Sequence, residues 1–230
     1  MKKIFDYKSE KERLFSIYTY ETEYMKKGYK LIGGADEAGR GPLVGPVSAA
    51  CVILKNDFYI PGLDDSKKIP EKYREELYDV IIGQSISYGI AMIDNTIIDE
   101  INILNATKKA MCGAIEKMQV KPDFLLLDYI DLKILDIPQL PLVKGDSKSA
   151  SIAAASVLAK VTRDRYMRKI DEEYPQYGFM KNKGYGTKQH YEALAKYGPC
   201  PLHRKTFIKN LNFKEIPDMT NLNFAEKSYE

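Results

Sequence analysis

The chain has 230 residues, 44% of them hydrophobic, enough for one large domain with a sizeable buried core. Its 35 basic and 32 acidic side chains leave a net charge of +3, so bulk charge identifies no polyanionic partner. Three widely spaced cysteines and two histidines argue against a disulfide framework or a zinc site and suit a reduced, cytoplasmic setting.

The start, MKKIFDYKSEKERLF, has no apolar stretch of the kind a signal peptide needs. Residues 8–28 are charge-rich, with Leu14, Ile17, Tyr18 and Met25 at roughly helical spacing. They predict a helix docked outside the core. Strands are expected over 30–35 and 46–54, and over 89–93 after a helix at 70–82. The run from Val44 to Leu54 is too short to span a bilayer. Residues 101–118 predict an amphipathic helix whose apolar face carries Leu104, Thr107, Met111, Ala114 and Met118. DFLLLD at 123–128 and PLVKGD at 141–146 each predict a short strand ending in an acid.

From Ser147 a long helix is expected to about Glu172, with Ile152, Ala155, Ala159, Thr162 and Tyr166 as its core stripe. Lys160, Arg163, Arg165, Arg168 and Lys169 would cover its other surface. A loop at 177–186 rich in Gly, Lys and Tyr and a helix at 187–197 follow, and a polar tail begins near 211. Strands first, then alternating helices and strands, predict an α/β core with a mixed sheet.

The stretch GGADEAGRGPLVGP is one step from the phosphate-cradling pattern G-x-x-x-x-G-K-[ST]. Asp36 and Glu37 within it would repel a phosphate held by backbone N–H groups alone. Asp128 and Asp146 also stand where predicted strands run out, the place where α/β folds build sites. One such acid is more often a turn or helix cap, as Asp146 before Ser147 could be. Four together favour a divalent-metal site, because carboxylates are the hard ligands that magnesium and manganese take. A metal pair could clamp the attacking and leaving oxygens of a phosphodiester. Neighbouring strand residues face opposite ways, so Asp36 and Glu37 cannot both point inward from a regular strand. Either the strand ends by Glu37, or one of the two ligates through its backbone carbonyl.

Gly39-Arg40-Gly41 could offer bare backbone groups to a ribose 2′-hydroxyl, the group that separates RNA from DNA. A tight turn needing glycine is an equal reading. Ser66-Lys67-Lys68, Lys181 to Lys188 around Tyr185, and His203-Arg204-Lys205 are candidate phosphate- and base-contacting stretches. For any lysine run alone, a solvated surface is the better reading. Tyr185, between two glycines, is either docked or offered to a ligand.

These segments resemble one family, ribonuclease HII. GADEAGRGPLVGPVSAACVIL, GLDDSKKIPEKYREELY, INILNATKKAM, PDFLLLD, KGDSKSASIAAASVLAKVTRDR and YPQYGFMKNKGYGTKQHYEALAKYGPCPLHRKTF resemble its blocks in order, over about residues 30–208. The resemblance implies an RNase H-like fold, a five-stranded mixed sheet flanked by helices with a C-terminal helical segment. It divides the chain into an N-terminal helical extension (1–29), a catalytic domain (30–210) and a polar tail (211–230).

The implied activity is endonucleolytic hydrolysis of the RNA strand of RNA–DNA hybrids, and cutting 5′ of single ribonucleotides embedded in duplex DNA, as in ribonucleotide excision repair. Asp36, Glu37, Asp128 and Asp146 would be the catalytic, metal-holding carboxylates, with Mg2+ or Mn2+. Gly39, Arg40 and Gly41 would read the 2′-hydroxyl with Tyr185, and Ser66 and Lys67 would hold phosphates. A monomer is expected, with no membrane association, and the tail is a candidate segment for a replication partner. The chain departs from the family pattern at Ala35, Ser48, Cys51 and, most notably, Tyr129, where a small residue such as glycine is usual. Ribonuclease HIII fits less well, since its first block lacks the Gly-Arg-Gly turn. A binding module without chemistry would have tolerated decay of the acids, and a phosphotransferase of another α/β fold would need a D-x-D spacing that is missing here.

Overall fold

In the computed structural model, residues 6–211 are described. They fall into two compact units, one of residues 6–40 and 46–166, the other of residues 41–45 and 167–211. The expected roles for the polar tail fall on residues outside the described ones, apart from residue 211.

The first unit is built on a five-stranded sheet. Its strands are β1 (Ile32–Ala38), β2 (Val47–Leu54), β3 (Ser85–Ile93), β4 (Phe124–Asp128) and β5 (Gln139–Leu142), in the order β3-β2-β1-β4-β5. β1 pairs antiparallel with β2, and β2 with β3; β1 with β4 and β4 with β5 are parallel. This is the expected mixed sheet. Asp123 starts the parallel pairing: its carboxylate accepts from Lys30 N–H at 2.8 Å and Leu31 N–H at 2.9 Å. The last strand is shorter and earlier than expected. β5 ends at Leu142, Lys144 takes a left-handed backbone, and Asp146 lies on a 3-10 turn, Gly145–Ser147. The apolar run there is too brief to separate a strand from the turn that follows it.

Among the described residues there are eight α-helices, in chain order α1 (Tyr7–Ile17), α2 (Thr19–Lys26), α3 (Glu71–Gln84), α4 (Asn95–Glu116), α5 (Ala150–Glu173), α6 (Phe179–Asn182), α7 (Lys188–Tyr197) and α8 (Lys205–Ile208). α4 lies on one face of the sheet: a Cβ at Gly89 of β3 would meet the Ala114 carbonyl. α5 lies on the other, where Ala150, Ala153, Ala154, Val157, Leu158 and Val161 pack with Ala50, Val52 and Leu54 of β2. α4 starts earlier than the pattern suggests and kinks at Asn102 (φ 66°), whose side chain accepts from Asn105 N–H at 3.1 Å. That kink turns Leu104 outward, while Thr107, Met111, Ala114 and Met118 are buried as expected.

Three expectations are corrected. α5 has no single core stripe in its first half: residues 150–159 are buried all round. Arg163, expected on its outer surface, is fully buried and donates from Nε to the Pro46 carbonyl at 3.0 Å. The N-terminal segment is not docked outside the core either. It forms two helices broken at Tyr18, and Leu14 and Tyr18 belong to the main core cluster. Its acids mislead because they are buried as hydrogen-bond acceptors. Glu10 accepts from Gly62 N–H at 2.6 Å, and Glu21 accepts from Ser149 Oγ at 2.6 Å and Ser151 N–H at 2.8 Å. Among the described residues no helix is long and apolar enough to cross a membrane.

Close backbone approach sets the α5–sheet distance. A Cβ on Gly34 of β1 would sit 2.3 Å from Ile152 N and Ser151 C. Gly34→Ala is therefore expected to lower unfolding free energy by about 3 kcal/mol or more, because backbone cannot rotate out of the way. Gly83→Ala on α3, where a Cβ meets nothing within 4 Å, is the control and should be neutral or slightly stabilising in the same urea titration.

Candidate metal and nucleic-acid site

Register puts the acids together. Gly34, Asp36 and Ala38 share the α5 face of β1 with their β2 partners Val52, Ala50 and Ser48. The parallel ladder pairs Ala35 with Leu127, so Asp36 and Asp128 are the next residues along neighbouring strands and point to the same face. The Gly145–Ser147 turn, directly before α5, delivers Asp146. One carboxylate oxygen from each of Asp36, Asp128 and Asp146 lies within 4.8 Å of the others.

Glu37 stands apart from this trio. β1 does not end before it: Glu37 pairs with Ala49 and Ala38 with Ser48, so its side chain leaves from the α4 face. Its Oε1 lies 3.4 Å from Arg40 Nη1, and its Oε2 is buried without a hydrogen-bond partner among the described residues. Of the two options for the Asp36-Glu37 pair, an early strand end is ruled out.

Electrostatics mark the cluster as poised for cations. Burial, then the charges of Glu37 and Asp128, hold the Asp36 carboxyl well above the ordinary carboxylate range. Burial pushes Glu37 up to about 7, against the pull of Arg40. Asp146 is pushed up to about 6 by burial and by Asp65 and Asp128. Asp128 is raised by burial, partly offset by the Gly145 N–H that it accepts at 2.7 Å. Adjacent carboxylates that each disfavour the other's charge fit divalent ions, as does a donor set made wholly of oxygen.

Lys67 stands beside the acids. Burial lowers its pKa, but Asp65, Asp146, Asp36 and Asp128 outweigh burial and raise it, so it stays a cation beside the acids. Ser66 is buried and pinned through its backbone: its N–H donates to Ser156 Oγ at 3.1 Å and its carbonyl accepts from Arg74. The sequence reading missed Asp65, whose carboxyl hydrogen-bonds that of Asp146 and raises it. Its only signal was its place between Asp64 and the Ser66-Lys67 pair.

The glycines of the turn divide by cause. Gly39 has φ +95°, and a Cβ there would collide with the Arg163 side chain, so this glycine is structural. Gly41 belongs to the second unit, where a Cβ would make ordinary contact with the Tyr185 ring at 3.6 Å. Packing would accept alanine at Gly41. The second unit also holds the 41–45 strip from both sides: Leu43 N–H donates to the Gly184 carbonyl at 2.8 Å, and Arg204 N–H to the Leu43 carbonyl at 2.8 Å. Tyr185 is 45% exposed, and Lys181 and Lys188 are exposed. His203 and Arg204, expected on a basic surface, are buried. Arg204 Nε donates to the Gly45 carbonyl at 3.0 Å.

Three of the departures from the family pattern acquire physical reasons or consequences. Tyr129 has φ +60°, a left-handed backbone that costs a bulky side chain and nothing for glycine. Its ring is 60% exposed. Cys51 is fully buried, and burial pushes its thiol up to about 12, so it is inert. Ser48 is buried with no hydrogen-bond partner for Oγ among the described residues.

The family model described as ribonuclease HII matches residues 33–215. A ribonuclease HII of Caldanaerobacter subterraneus subsp. tengcongensis is 58% identical over 200 residues, covering 87% of this chain and 83% of its own. One of Bacillus subtilis is 52% identical over 207 residues, covering 90% and 81%. Among solved structures, the ribonuclease H2 of Pyrococcus horikoshii has a TM-score of 0.65 at 26% identity, covering 77% of this chain and 93% of that one.

The raised carboxylates predict how metal-free protein responds to pH. An unfolded carboxylate titrates near 4, and Glu37 in the fold near 7. Between these values the folded state binds more protons, so stability falls as pH rises. In chelator the melting temperature should drop from pH 5 to pH 8, and Mg2+ or Mn2+ should restore it. Asp36→Asn should melt above wild type in chelator at pH 8, by about 2–4 °C for each kcal/mol of relieved repulsion, and gain less from metal. A flat wild-type profile in chelator would count against the cluster.

Proposed function

The chain belongs to the ribonuclease HII family of divalent-metal-dependent phosphodiester hydrolases acting on RNA–DNA hybrids, and from that premise we propose that it also cuts 5′ of single ribonucleotides in duplex DNA. The observation that carries the chemistry is the trio Asp36, Asp128 and Asp146 on the α5 face of two parallel strands. The observation that carries the selectivity is Gly41, bare against Tyr185 without a packing need for glycine.

In this reading Asp36, Glu37 and Asp128 would hold a metal ion, and Asp146 would help to hold a second or position the leaving-group side. Glu37 would contribute its backbone carbonyl, because its side chain leaves from the opposite face of β1. When bound, Mg2+ or Mn2+ supplies Lewis-acid polarisation of the phosphate and lowers the pKa of an attacking water. Lys67 neutralises a substrate phosphate beside the acids, and Ser66 orients it from a pinned backbone. Backbone groups of Gly39, Arg40 and Gly41, with the Tyr185 ring, recognise the ribose 2′-hydroxyl. Water, and not that hydroxyl, is the nucleophile, so the products carry a 3′-hydroxyl and a 5′-phosphate. Neither histidine is needed as general base, and both are buried against one another.

End-labelled duplexes test the reaction. With Mg2+ or Mn2+, a duplex carrying one ribonucleotide should be cut on its 5′ side, an all-DNA duplex should stay intact, and chelator should stop the cut. Asp36→Asn should abolish cleavage and retain substrate binding; wild-type turnover in that variant would refute its role. Binding without cleavage in the wild type, with either metal, would favour a module that has lost its chemistry.

A second prediction separates recognition from folding. Gly41→Ala should melt like wild type, because its Cβ only touches the Tyr185 ring. It should cut the single-ribonucleotide duplex on the order of 10- to 100-fold more slowly, since a methyl group blocks backbone approach to the sugar. Unchanged rates would remove Gly41 from the recognition surface.

A further inference from the structure

Two buried histidines in the second unit have no part in the chemistry above, yet they join end to end. His190 Nδ1 lies 2.8 Å from the Tyr185 carbonyl oxygen. His190 Nε2 lies 3.2 Å from His203 Nε2. His203 Nδ1 accepts from Cys200 N–H at 2.9 Å.

The Tyr185 carbonyl sets the order of protons in the chain when both imidazoles are neutral. A carbonyl only accepts, so His190 Nδ1 carries a hydrogen and its Nε2 offers a lone pair. His203 Nε2 must then donate, which leaves His203 Nδ1 as the acceptor that the Cys200 N–H requires. His203 Nδ1 also lies 3.2 Å from the Cys200 carbonyl oxygen and 3.1 Å from Cys200 Sγ, so the order of protons follows from the Tyr185 end together with a neutral His203. The chain needs both imidazoles neutral. Burial lowers both histidines, and the neighbouring His190 helps to take His203 to about 4.

Aromatic rings hold the pair. Phe179 meets His190 edge-on at 5.5 Å, and Tyr177 lies 5.2 Å from His203. Tyr177 in turn donates from its hydroxyl to the Gly198 carbonyl at 2.6 Å. The far end of the chain reaches the part of the loop most in need of anchoring. Tyr185 lies between Gly184 (φ +83°) and Gly186, and glycines give a backbone more freedom than any other residue. Its carbonyl takes a second donor, Thr187 N–H at 2.8 Å, and its own N–H donates to the Asn182 carbonyl at 2.8 Å.

We propose that His203 and His190 are positioning residues for substrate recognition, a directional hydrogen-bond chain that fixes the Tyr185 peptide and so sets where the exposed Tyr185 ring stands. The proposal rests on the reading that this ring meets the substrate. An apolar pair would fill the same space, but only a donor and an acceptor in this order tie the Tyr185 carbonyl to the Cys200 backbone.

The test is a mutant cycle in the full chain, read on the single-ribonucleotide duplex with metal. His203→Leu removes the Nε2 donor, and His203→Gln places an amide N–H near the same point. His203→Leu should lower kcat/KM on the order of 10- to 100-fold, as expected for a displaced positioning group. His203→Gln should recover most of that loss, and His203→Leu should cost nothing more in a Tyr185→Ala background. Imidazole 15N spectra of the wild-type protein, independent of any variant's folding, should show the Nδ1–H tautomer for His190 and Nε2–H for His203. The opposite tautomers overturn the proposal. So does a His203→Leu protein that loses only thermal stability while Tyr185→Ala still loses recognition. If Tyr185→Ala cuts like wild type, the reading of Tyr185 fails first and the positioning role falls with it.

Discussion

The α5 backbone lies against β1 at Gly34, too close for any side chain to fit between them. That approach brings the turn before α5, and Asp146 with it, to the ends of two parallel strands. Alanines at 150, 153 and 154 keep the helix low on the sheet, and Glu21 secures its first turn through Ser149 and Ser151. A wider gap would leave Asp36 and Asp128 paired by register and Asp146 out of reach. The acidic cluster is therefore a consequence of backbone packing as much as of its own acids.

Those acids oppose the fold that gathers them. Each is half-buried or buried, and each disfavours the charge of another. Such clusters survive where surrounding structure over-determines them and where a ligand supplies the missing positive charge. Lys67 provides part of that charge from within the chain. The remainder is what a divalent ion brings, so binding of metal and relief of repulsion are one event seen from two sides.

The second unit uses the opposite strategy. Neutral groups order it, stacked Tyr177 and Phe179, a pair of uncharged imidazoles and main-chain hydrogen bonds on both sides of the 41–45 strip, beside the buried Arg204 guanidinium on the Gly45 carbonyl.

What was legible in the sequence was local. Period-two and period-3.6 patterns placed all five strands within a few residues and most of the helices, because each pattern is a property of neighbouring residues. The acids at strand ends were legible as a group for the same reason. What the chain in one dimension could not show were contacts across it. Asp65 looked like half of an acidic pair until the fold set it on Asp146. Arg163, His203 and Arg204 looked like surface cations, since burial of a polar group depends on acceptors that may lie 100 or more residues away, as Pro46 does for Arg163. Glu10 and Glu21 made the N-terminus look solvent-bound for the same reason. Sequence determined which chemistry the chain carries; tertiary structure decided which of its charges face each other, because distance in space is set by packing and not by order along the chain.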